Sequence, residues 1–118
     1  MTPIQKIKRE ILLLAEVEKI TAENVDEQYD IFVDKELHWD FESEFRCGTV
    51  ETKLPCYGSR HYESKSVATK LSDGSWVGWT YWYGGGKHGN PEEIDWMSDA
   101  YDLEVTERLI MKQEFKKI

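Results

Sequence analysis

Residues 65–83 read Lys65-Ser66-Val67-Ala68-Thr69-Lys70-Leu71-Ser72-Asp73-Gly74-Ser75-Trp76-Val77-Gly78-Trp79-Thr80-Tyr81-Trp82-Tyr83. Two strand-like runs flank an Asp-Gly pair, a strong short-range signal of a β-hairpin. A two-residue type I′ turn at Asp73-Gly74 sets Leu71 opposite Trp76, Ala68 opposite Trp79, Ser66 opposite Tyr81 and Lys65 opposite Trp82, so that small residues face rings. Gly74 then takes a positive φ, and Trp76 and Leu71 are neighbours on one face. Alternation puts Trp76 and Trp82 on one side of the second strand and Trp79, Tyr81 and Tyr83 on the other. That much apolar surface cannot stay exposed on both sides. Either a helix covers one side or some of the rings form a binding surface, a use for which interfaces favour Trp and Tyr.

Outward from the hairpin, Gly84-Gly85-Gly86-Lys87-His88-Gly89 breaks regular structure. Asn90-Pro91-Glu92-Glu93 restarts a helix with an N-cap, a proline at the first position and a capping-box glutamate. Ile94, Met97 and Ala100 or Tyr101 form its apolar face. From Asp102 onward Leu103, Val105, Leu109, Met111 and Phe115 alternate with charged residues, which predicts a closing strand or hairpin. Upstream, Thr2-Pro3 opens a helix to about Ile20, carried by Ile4, Ile7, Ile11, Leu14 and Ala15. Residues 25–33 and 37–46 read as strands. In the second, Leu37, Trp39, Phe41 and Phe45 form a buried face, and Asp40, Glu42 and Glu44 a wet acidic row. Cys47–Leu54 continues as strand, kinked at Gly48, before a loop over 55–60. The expectation is a single α+β domain over residues 1–118. An N-terminal helix packs on a mainly antiparallel β-sheet, with a second short helix before the last strand.

At 118 residues, with 40% hydrophobic and 13% aromatic composition, the chain can bury one core without staples. The longest apolar run, Ile11–Ala15, is far too short for a membrane span. The net charge of −8 has a local origin. Residues 21–45 hold nine carboxylates against Lys35, and residues 91–107 hold seven and no base. Such a surface repels nucleic acid and membrane headgroups and steers toward basic partners.

Other chemistries have weaker signals. Gly84–Gly89 lacks phosphate-loop spacing, and Glu92 and Glu93 at the following helix would repel phosphate. His38, His61 and His88 with Cys47 and Cys56 show no tight zinc-ligand pair, and no cofactor is expected. The two cysteines read as free thiols. No nucleophile elbow occurs.

The stretch Ser75–Gly89 followed by Pro91-Glu92-Glu93-Ile94-Asp95-Trp96-Met97 resembles small acidic accessory proteins of tailed bacteriophages and enterobacterial prophages. The resemblance covers roughly the second half of the chain and carries no functional residues over. It implies a phage-encoded protein in the host cytoplasm that binds and inhibits a host or defence protein, of the anti-CRISPR or anti-restriction kind. The expectation is a non-enzymatic inhibitor contacting a basic, nucleic-acid-binding site through Asp40, Glu42, Glu44, Glu92, Glu93, Asp95 and Asp99. The alternative is a small-ligand binder or enzyme with a pocket at Trp79, Tyr81, Lys87 and His88.

Overall fold

The computed structural model describes residues 1–56, 61–86, 89–107 and 113–118. Among these, three helices precede a sheet: α1 (Pro3–Leu14), α2 (Val25–Asp34) and α3 (Trp39–Phe45), then β1 (Val50–Glu51), β2 (Glu63–Lys70), β3 (Trp76–Tyr83), β4 (Tyr101–Glu107) and β5 (Gln113–Lys117). The five strands lie side by side in sequence order, every pair antiparallel. The α+β class, the N-terminal helix and the closing strand pair are as the sequence predicts.

The N-cap of α1 also matches. Thr2 Oγ1 accepts from the Gln5 backbone N–H at 3.2 Å, and Gln5 Oε1 accepts from the Thr2 N–H at 2.9 Å, a reciprocal capping box. The helix stops at Leu14 rather than near Ile20. Glu16 turns left-handed (φ 62°), and the Val17 and Glu16 N–H groups bond Leu12 and Leu13 carbonyls. This Schellman stop satisfies the last carbonyls. Val17, just past the stop, packs against the core cluster to which Leu12 belongs.

Residues 25–34 and 39–45 are helices, not strands. Val25, Tyr29 and Phe32 are buried at spacings of four and three, so the helical period wins over the Tyr29, Ile31, Val33 alternation. α2 ends in a second Schellman stop, with Glu36 left-handed (φ 55°) and Leu37 N–H bonded to the Phe32 carbonyl. Phe41 and Phe45 of α3 pack against the core, while Trp39 at its start and Leu37 before it face solvent instead of joining a buried row. The chain leaves α3 through Gly48 (φ 67°), where a Cβ would stand 2.7 Å from Val67 Cβ. Only the two-residue β1 remains of the strand expected over 47–54.

The hairpin forms, with its register shifted by one. Lys70 pairs Trp76, Val67 pairs Trp79, Lys65 pairs Tyr81 and Ser64 pairs Trp82. Gly74 has the expected positive φ (90°), but Asp73 does not join it. Gly74 N–H bonds the Leu71 carbonyl and Leu71 N–H bonds the Ser75 carbonyl, giving a three-residue loop with a glycine bulge. The Asp73 carboxylate fixes this form by accepting from Ser75 N–H and Oγ. Leu71 therefore enters the core, while Trp76 lies on the other face opposite Lys70.

The helices cover one face of the sheet. Ile7, Ile11, Val25, Val67, Val77 and Trp79 are fully or almost fully buried there. On the other face Gly78 leaves room for Tyr101 and Leu103, Trp76 meets Phe115 edge-on, and Ser66 Oγ donates to the Leu54 carbonyl. Pro91–Glu93 and Met97–Asp99 are two 3-10 turns rather than one helix, and Asn90 makes no side-chain cap. Ile94 is extended between them (ψ 134°), which turns the chain so that Trp96 and Met97 can both enter the core. No helix among the described residues is long and apolar enough to cross a membrane.

Candidate functional site: an acidic cleft floored by tryptophan

Trp79 organises the site. It is fully buried, stacks on Phe45 of α3 (centroids 5.5 Å, 19°) and packs against Trp96 at 5.2 Å. Its indole Nε1–H donates to the Arg46 carbonyl at 2.7 Å. One β3 side chain thus holds α3, the following residue and the 91–97 segment against the sheet. The open space between those two segments is a cleft of about 600 Å³, in the size range of ligand pockets.

Five of the seven expected partner-binding residues line this cleft: Asp40 and Glu42 from α3, and Glu92, Glu93 and Asp95 from across it. Asp40 and Glu42 also lie in the first turn of α3, where a negative charge complements the helix dipole. Glu44 does not join them: with 39–45 helical, the alternating row expected of a strand does not exist, and Glu44 is absent from the cleft lining. It lines a separate groove with Leu14 and Phe41. Asp99, in the second 3-10 turn, is exposed and outside the cleft.

The carboxylates on this side differ from those around α1. There Lys6 bonds Asp102 at 2.7 Å, Lys8 bonds Asp26 at 3.1 Å and Arg9 bonds Asp73 at 2.9 Å. Lys8 first, with Gln5, holds the Asp26 carboxyl below its ordinary range, and Ser75, with Arg9, does the same for Asp73. Among the described residues, no lysine or arginine forms an ion pair with Asp40, Glu42, Glu92, Glu93 or Asp95. Glu42 stands 3.7 Å from His38 Nε2, and Asp95 accepts from Ser98.

Six further residues line the cleft, none of them singled out for partner binding, and three of these shape it most: Trp39, Trp96 and Arg46. Trp39 is 64% exposed on its rim, its ring 4.3 Å from that of His38, whereas Trp96 forms part of the lining at 6% exposure. Arg46 is part of the lining at 8% exposure. Its Nη1 donates to the Trp82 carbonyl at 2.9 Å and its guanidinium lies 4.9 Å from the Tyr81 ring. Trp39 could have been found by asking which aromatic of a helical 39–45 lies off the Phe41–Phe45 stripe.

Of the four residues expected to form the alternative pocket, two are described. Trp79 is core and reaches no opening. Tyr81 is half-buried and stacks on Tyr83 at 5.6 Å, and burial, then Cys47 beside it, pushes its hydroxyl upward in pKa. Lys87 and His88 lie outside the described residues. Among the described residues no group of three or more His, Cys, Asp or Glu is arranged to hold a metal. Cys47 and Cys56 are free thiols. No family model, curated protein or solved structure matches the chain.

Proposed function

We propose that the chain is a non-enzymatic protein-binding inhibitor that lays the acidic cleft on a basic, nucleic-acid-binding surface of another protein. The observation that carries this reading is the convergence of two acidic blocks, some fifty residues apart in sequence, on one cleft whose carboxylates form no ion pair with a lysine or arginine among the described residues. Unneutralised carboxylates at close quarters repel one another, and a basic partner relieves that repulsion. The neighbouring face of α1 turns its lysines and arginine to other acids, and Arg46, the cation in the cleft lining, bonds the Trp82 carbonyl and lies over the Tyr81 ring rather than pairing a carboxylate. The resemblance to phage accessory proteins supports a host or defence protein as the target, met in the host cytoplasm.

The test is competition. The protein should bind a nucleic-acid-binding target and be displaced by its DNA or RNA, with affinity falling steeply as salt rises. Binding that is indifferent to both salt and nucleic acid would remove the reading.

A further inference from the structure

We infer that the cleft takes an extended basic peptide segment of its partner, with one arginine or lysine side chain laid on Trp39 and the partner's backbone turned toward Arg46. This rests on the reading above and narrows it from a charged surface to a peptide-binding groove.

Three independent observations converge. Trp39 is the most exposed tryptophan, at 64%, in a domain that buries Trp79 and Trp96, and His38, 7% exposed, sits against its ring. An indole presented at a rim is the preferred platform for a cation. The carboxylates of Asp40, Glu42, Glu92 and Glu93 surround the same opening, while Ile94, Trp96 and Met97 supply an apolar lining. A long side chain with an apolar stem and a charged head matches that combination, and a compact inorganic cation does not. Finally, the Arg46 Nε–H is buried and has no acceptor among the described residues, although Arg46 is among the residues that line the cleft. An orphaned buried donor calls for an acceptor, and a peptide carbonyl supplies one where a polyamine has none.

The test uses the full chain and three probes followed by tryptophan fluorescence: a blocked decapeptide with arginine at alternate positions, the same peptide with citrulline replacing arginine, and spermine. Protamine, as an intact basic protein, is measured in parallel. The arginine peptide should bind at least about tenfold more tightly than the other two probes. Trp39→Ala should weaken the arginine peptide by about tenfold or more, and Trp39→Phe by less, with melting temperatures unchanged because the ring is exposed. Equal affinity for peptide and spermine, or unchanged peptide affinity in Trp39→Ala, overturns the groove. If protamine still binds in a salt-sensitive manner in that case, the broader reading stands and only the peptide assignment falls. If wild-type protein binds no protamine at all, both fall.

Discussion

Replacing Trp79 with phenylalanine tests whether one side chain holds the cleft together. Phenylalanine keeps a ring over Phe45 but loses the indole Nε1–H, so the Arg46 carbonyl loses its 2.7 Å donor. Leaving a buried acceptor unmet costs about 1–3 kcal/mol. Trimming the second ring of a fully buried side chain opens roughly 40 Å³, which at about 24 cal/mol per Å³ adds about 1 kcal/mol. The total is about 2–4 kcal/mol, or roughly a 10 °C fall in melting temperature for a domain of this size. Trp76→Phe, on the half-exposed face against Phe115, is the control and should cost under about 1 kcal/mol. Thermal and urea unfolding measure both. A Trp79→Phe loss no larger than that of Trp76→Phe would refute Trp79 as the element that joins α3 to the 91–97 segment.

Other consequences follow from individual residues. Glu36 ends α2 in a left-handed conformation, so Glu36→Gly should stabilise the fold by about 0.5–1 kcal/mol in urea melts, and a loss would count against the Schellman assignment. Gly78→Ala places a Cβ 2.7 Å from the Tyr101 ring and should destabilise by about 1–3 kcal/mol, with urea melts again the readout. The Asp73 carboxyl titrates below its ordinary range because of Ser75 and then Arg9, so its contribution is present above the unfolded-state carboxylate pKa and disappears as pH falls below it. Asp73→Asn should therefore flatten part of the acid-side fall in melting temperature. Burial, then Glu42, raises the Tyr29 hydroxyl above its ordinary value of 10.0, so stability should fall as pH rises past that value, and Tyr29→Phe should remove part of the fall in an alkaline melting series.

The hairpin was legible because Asp73-Gly74 and alternating aromatics act within a few residues. Its register was not, since the choice between a two-residue turn and a three-residue loop depends on the Asp73 carboxylate bonding Ser75. The α1 cap was legible from Thr2-Pro3 for the same local reason. Its stop was hidden, because glutamate rather than glycine occupies the left-handed position at 16. Residues 25–34 satisfy two periods at once: Tyr29, Ile31 and Val33 alternate, while Val25, Tyr29 and Phe32 repeat helically. The choice between them follows burial against α1, to which Asp26 is tied by Gln5 and Lys8. The acidic blocks survived this misreading because charge counts do not depend on secondary structure. Their meeting at one cleft depends on Trp79 reaching both Phe45 and Trp96, a tertiary contact that no local pattern announces.

The most direct measurement compares two variants of equal net charge. One neutralises the cleft with Asp40→Asn, Glu42→Gln, Glu92→Gln and Glu93→Gln; the other neutralises exposed acids elsewhere with Glu18→Gln, Glu23→Gln, Glu27→Gln and Asp30→Asn. Binding to a basic nucleic-acid-binding protein is followed by calorimetry across a salt series. The cleft variant should lose at least about tenfold in affinity and much of its salt dependence, while the second variant stays near wild type. Equal losses in the two would mean that total charge alone drives association, and the cleft would not be the binding site.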